Sequence, residues 1–154
     1  MKVLLSVVIP LAGLVLANSV LAKDKPSVEF LSSKVLSGEA SNLPFSEAVR
    51  VDNTYYLSGQ IGVKPGTKSL VEGGIKEETR QTLKNIQMTL EASQLSMKNV
   101  VKCTVMLADI AEWPSFNEVY VTFFSKPYPA RSAFASSGLA FGARVEVECL
   151  AVDF

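Results

Sequence analysis

The chain reads as an α+β sandwich, one sheet with two helices laid on one of its faces. Three observations lead there. Apolar residues recur at helical spacing in two separate stretches, β-branched runs bounded by turn residues surround them, and the resulting order is hairpin, helix, strand, helix, strand, strand. With 154 residues, 48% hydrophobic and 19% charged, the chain has material for one compact domain and too little polarity for disorder.

Residues 1–22 differ in composition from the rest. Lys2 supplies a positive start, 3–20 are almost wholly apolar and carry no charge, and Val20-Leu21-Ala22 precede the charged run Lys23-Asp24-Lys25-Pro26. This is the pattern of a secretory signal peptide cut after Ala22. An uncleaved anchor is the other reading, since about 18 apolar residues just span a bilayer. Pro10, Gly13 and the early cleavage motif favour cutting, and no Cys at the boundary offers a lipid attachment point. The expected location is outside the cytosol, in a periplasm or secreted, with no membrane association after cleavage. Residues 23–42 read as a leader that adds one strand at most, and 43–154 as the folded domain.

From Ser46 the pattern sharpens. Ala48-Val49-Arg50-Val51 and Thr54-Tyr55-Tyr56-Leu57 flank Asp52-Asn53, a pair tolerant of positive φ, which predicts a hairpin. Lys64-Pro65-Gly66-Thr67 marks a turn, and Gly73-Gly74 breaks the chain before the next element. Ile75, Thr79, Leu83, Ile86 and Leu90 recur every three or four residues among charged and polar neighbours, an amphipathic helix of about five turns. The run 100–107 suits an interior strand. Pro114 fits a first helical turn, and Phe116, Val119, Tyr120, Phe123 and Phe124 form a stripe predicting a second helix that ends near Lys126-Pro127. Strands over 132–135 and 144–152, linked by a loop at 138–142, complete the sheet. The helices leave one sheet face open. Arg144, Glu146 and Glu148, alternating with Val145, Val147 and Cys149, are assigned to it.

The two cysteines, Cys103 and Cys149, lie inside apolar strand runs. Export permits a disulfide. A buried thiol also behaves as a small hydrophobe, and the demanding geometry of a bridge tips the expectation toward free, structural thiols.

The chain has no His, which excludes Ser-His-Asp triads and HExxH zinc sites. Its 15 Lys+Arg balance 15 Asp+Glu, and loss of Lys2 with the leader leaves a charge of about −1, a poor footprint for nucleic acid. Two features carry possible chemistry. Arg131 follows the stiff Tyr128-Pro129-Ala130 segment and offers a fork for a carboxylate. Glu146 and Glu148 project from the last strand. By residue type alone, such an Arg is usually a solvated surface charge and such a Glu pair usually marks a wet sheet face. Trp113 reads as helix-start packing, and the stripe from Ile75 to Leu90 as core.

Longer stretches carry a resemblance. They are Leu43-Pro44-Phe45-Ser46-Glu47-Ala48-Val49, Leu57-Ser58-Gly59-Gln60-Ile61, the helix segment 79–86, the strand 100–105, Phe116-Asn117-Glu118-Val119-Tyr120, Pro129-Ala130-Arg131-Ser132 and Val145-Glu146-Val147-Glu148. Together they span 43–152, and the sequence is similar to the RidA/YjgF/L-PSP family. The Pro-Ala-Arg-Ser block followed by the Val-Glu-Val-Glu strand is the most specific part. The resemblance implies a chorismate-mutase-like α+β subunit with one mixed sheet, forming a homotrimer with a cleft between each pair of neighbours. It implies hydrolytic deamination of reactive enamines and imines such as 2-aminoacrylate, with no cofactor and no metal. Arg131 would grip the substrate carboxylate, Glu146 would activate water, and Gly59, Asn117 and position 45 would line the cleft. Phe45 stands where many active members have Tyr, Ala133 replaces a cysteine found in some, and Ala140 interrupts a common Leu-Pro pair. Two other functions follow from the same residues: a noncatalytic trimeric module holding a small carboxylate, and an endoribonuclease, which the charge balance disfavours.

Overall fold

The computed structural model describes residues 25–32 and 44–154. The signal-peptide reading of 1–22 and most of the leader lie outside the described residues. Of the leader, 28–31 form β1 (Val28–Leu31), the single strand anticipated there. It pairs antiparallel with β2 (Ala48–Val51), which turns through Asp52 at φ 53° and Asn53 into β3 (Thr54–Leu57). Next come β4 (Gln60–Ile61), α1 (Gly74–Ala92), β5 (Val100–Leu107), α2 (Trp113–Tyr120), β6 (Ala130–Ala135) and β7 (Val145–Val152). The sheet order is β1-β2-β3-β7-β5-β6, with β4 also on β7; β5 and β6 are parallel and every other pair antiparallel, so the sheet is mixed.

The hydrophobic pattern decides which face is covered. Val145, Val147, Cys149 and Ala151 of β7 join Cys103, Val105 and Leu107 of β5 against Leu83, Ile86 and Leu90 of α1 and Phe116 and Tyr120 of α2, one continuous core. The alternate residues, Glu146, Glu148 and Leu150 with Thr104 and Met106, face the side without helices, as the alternation predicts. Tyr56 and Phe134, about half exposed, lie on rungs with Leu150 and with Met106 of that open face.

Two buried polar side chains of α1 fix the sheet beneath it. Asn85 donates to the carbonyls of Ile61 (3.1 Å) and Val63 (3.0 Å) and accepts from Gln81 (2.8 Å). Glu78 accepts from the backbone N–H of Arg144 (2.8 Å), pinning the start of β7. The Arg144 side chain, assigned from sequence to the open face, turns to an ion pair with Glu112 just before α2.

Two expectations are corrected. The second helix stops at Tyr120, not near 126. Thr122 there donates its hydroxyl to the Val119 carbonyl (2.7 Å), and tighter turns carry the chain on. The apolar stripe survives the change, for Phe124 stays buried with its ring 4.6 Å from that of Tyr120. The cysteines are not free thiols. Cys103 and Cys149 occupy one rung of the β5–β7 ladder, their Cα atoms 4.1 Å apart, and are joined in a disulfide. Burial favoured neither state; the strand register brings the two together.

Candidate functional site

Glu146 is placed by β7 and by an irregularity in the strand beside it. Tyr56 pairs with Leu150, but Gln60 pairs with Val147, a slip of one residue absorbed at Ser58 and Gly59. This bulge brings the Gly59 backbone against the Glu146 carboxylate: a Cβ at position 59 would lie 2.1 Å from Glu146 Oε1. Glycine is present because a side chain would displace the carboxylate. Partial burial raises the Glu146 pKa from its ordinary value, and the Glu148 charge two residues along the same face raises it further.

Arg131 lies on the other side of the sheet. It shares a rung with Cys103, whereas Glu146 shares one with Met106, and successive residues of β5 alternate sides. Its guanidinium carbon sits over three rings of α2, 4.5 Å from the centroid of Tyr120, 5.2 Å from Trp113 and 5.7 Å from Phe116. These positions recur at spacings of three and four, so one helix face supplies all three rings. Asn117 lies on the same flank, with a buried side-chain oxygen that has no hydrogen-bond partner among the described residues. The Tyr120 hydroxyl is likewise buried and unpartnered; burial raises its pKa, and the Arg131 charge works against that rise. Phe45 stands exposed just ahead of β2.

The five residues singled out from sequence thus fall into groups. Gly59 and Glu146 meet on the open face, Arg131 and Asn117 gather with α2 on the other, and the exposed Phe45 directly precedes Ser46, whose carbonyl accepts from the hydroxyl of Ser58 beside Gly59 (2.7 Å). Two concavities on the surface are lined by neither Arg131 nor Glu146. A groove of about 730 Å³ runs past Ser96, Lys98 and Lys126, and a dent of about 220 Å³ on the open face lies between Tyr56, Lys102 and Glu148. Among the described residues no three Cys, Asp or Glu side chains gather as a metal site. Sequence reasoning missed the rings under Arg131. Trp113 and Tyr120 read as packing, and their spacing on α2 was the available signal.

A mixed sheet beneath one layer of two helices defines a chorismate-mutase-like α+β subunit. Comparison with known proteins is specific. A model of the family described as "Endoribonuclease L-PSP" matches residues 38–153. The mouse protein named 2-iminobutanoate/2-iminopropanoate deaminase is 47% identical over 110 residues, 71% of this chain and 82% of its own length. The solved structure of yeast YEO7 has a TM-score of 0.77 and 38% identity, covering 83% of this chain and 100% of that one. That of E. coli TdcF with bound serine has a TM-score of 0.74 and 27% identity, covering 82% and 99%. The chain belongs to the RidA/YjgF/L-PSP family.

Proposed function

We propose that this protein hydrolyses small 2-imino acids, and the enamines that tautomerise to them, to 2-oxo acids and ammonia. It does so as an exported homotrimer whose sites each draw on two protomers. The observation that carries the reading is the placement of a poised carboxylate, Glu146 against Gly59, on one sheet face and an uncommitted guanidinium, Arg131, on the other. One chain offers both groups but not to the same ligand; a neighbouring copy seated on the open face supplies the missing half. The half-exposed Tyr56 and Phe134 on that face are suited to burial against such a copy. The mouse relative's name supplies the reaction class, and serine bound to the E. coli relative is an amino acid of the size and charge Arg131 would hold.

The chemistry needs few parts. Arg131 takes the substrate carboxylate in two parallel hydrogen bonds and orients the imine carbon. Glu146, as carboxylate, accepts a proton from water while the water oxygen bonds to that carbon. That proton passes to the nitrogen to give the carbinolamine; Glu146 then takes the hydroxyl proton as C=O forms and hands it to the nitrogen as the C–N bond breaks, so ammonia leaves and imine plus water balances 2-oxo acid plus ammonia. The raised pKa of Glu146, caused first by burial and then by the Glu148 charge, makes it a stronger base than an ordinary carboxylate for taking the proton from water.

The test uses the mature protein with imines generated in situ by an amino-acid oxidase. Ammonium release faster than the spontaneous rate supports hydrolysis; an unchanged rate with measurable binding of 2-oxo acids leaves the noncatalytic module, a reading that Phe45 in place of Tyr favours. Native mass spectrometry checks the trimer, and intact mass of the exported protein checks cleavage after Ala22.

A further inference from the structure

Four arginines lie among the described residues, and their surroundings differ in one respect. Arg50 is paired with Glu29, Arg80 with Glu77 and Arg144 with Glu112. Arg131 has no carboxylate within ion-pair distance among the described residues and rests instead on Tyr120, Trp113 and Phe116. The difference is chemical. A carboxylate would hold the guanidinium by occupying its N–H donors and cancelling its charge, whereas a ring face attracts the cation through its quadrupole and leaves the donors unoccupied. Tyr120 is 3% exposed and Phe116 1%, so those rings are immobile parts of the core. Trp113, at the first turn of α2, is partly buried against the same core.

We propose that Tyr120 and Trp113 are positioning residues that hold Arg131 in place without competing for its hydrogen bonds, and thereby make the site selective for anionic over neutral substrates. The inference rests on Arg131 being the carboxylate-binding group, as proposed above. It goes beyond that reading by assigning the selectivity to two rings that lie under the guanidinium. Without the platform, the long Arg131 side chain would sample many rotamers and lose its ordering in the free protein, so binding would weaken while the chemical step at Glu146 would not.

The test measures the dissociation constants of 2-oxobutanoate and of its neutral amide, alongside KM and kcat for the corresponding imino acid. Tyr120→Leu and, independently, Trp113→Leu are each expected to weaken 2-oxobutanoate binding on the order of tenfold, with the loss appearing in KM rather than kcat and little change for the amide. Tyr120→Phe, which keeps the ring, should recover most of the loss. Native mass and circular dichroism establish that each variant is folded, and Trp113→Leu carries the test if Tyr120→Leu disturbs the core. Equal losses for acid and amide, a Tyr120→Phe variant as weak as Tyr120→Leu, or leucine variants that bind like the parent would each overturn the proposal. Failure of the parent to release ammonium would sink the deaminase reading alone, because the dissociation constants still decide the role of the rings; failure of the parent to bind 2-oxobutanoate would sink the platform.

Discussion

Gly59→Ala is a direct test of whether Glu146 works from the position it occupies. A methyl group at 59 would stand 2.1 Å from Glu146 Oε1 and 3.0 Å from its carboxyl carbon, where ordinary contact begins near 3.4 Å. The carboxylate must therefore retreat by about 1.3 Å, the gap between those two distances. It sits at the end of a side chain, and Gly59 is not among the glycines with positive φ, so the backbone accepts alanine and the strain falls on Glu146. Misplacing a reacting group by about 1 Å costs on the order of 10²-fold in rate, or about 2.7 kcal/mol. The measurement is kcat/KM for an imino acid generated in situ, with native mass and circular dichroism to establish that the variant assembles. Because the substitution acts through one carboxylate, adding it to Glu146→Gln should cost little more. A folded Gly59→Ala protein with parental kcat would refute the argument, as would full additivity of the two substitutions.

Arg131→Lys keeps the charge and loses the planar fork; it should lower kcat/KM by about 10²-fold, mostly through KM, as steady-state kinetics would show. The pH profile should have an acidic limb: Glu146 acts as the carboxylate, so kcat/KM falls as pH drops through its raised pKa. Glu148→Gln removes a charge that contributes to the rise, so that limb should move to lower pH; a limb that stays in place would exclude the coupling. The Cys103–Cys149 bridge closes a sequence separation of 46 residues, for which loop-closure entropy gives about 4 kcal/mol of stability. Replacing both cysteines by alanine should lower the urea midpoint accordingly, and an unchanged midpoint would mean that the cross-link contributes nothing in solution.

How much of this was legible in the sequence depended on the range of the interaction. Periodicity located α1 and the strands because burial of one face is written in neighbouring residues, as in Ile75 through Leu90. The end of α2 was not legible, since the apolar stripe runs on to Phe124 while the Thr122 hydroxyl takes the Val119 carbonyl and the backbone tightens. The disulfide depended on the register of two strands 46 residues apart, which no local pattern encodes. The site divided in the same way. Arg131 and Glu146 stood out by residue type and position, Gly59 and Asn117 came from family motifs, and the bulge that explains Gly59 required the pairing of both strands. The rings below Arg131 were visible as a stripe, but a core stripe and a cation platform look alike until the strand that carries the arginine is in place.

The placement of Arg131 and Glu146 on opposite sides of the sheet has a consequence for inheritance. If each cleft takes its arginine from one subunit and its glutamate from the next, two inactive alleles, one lacking each side chain, rescue each other when co-expressed. Every mixed ring of three then contains one junction where both intact groups meet, so random assembly returns roughly a quarter of the parental sites. A site built within one polypeptide would return none.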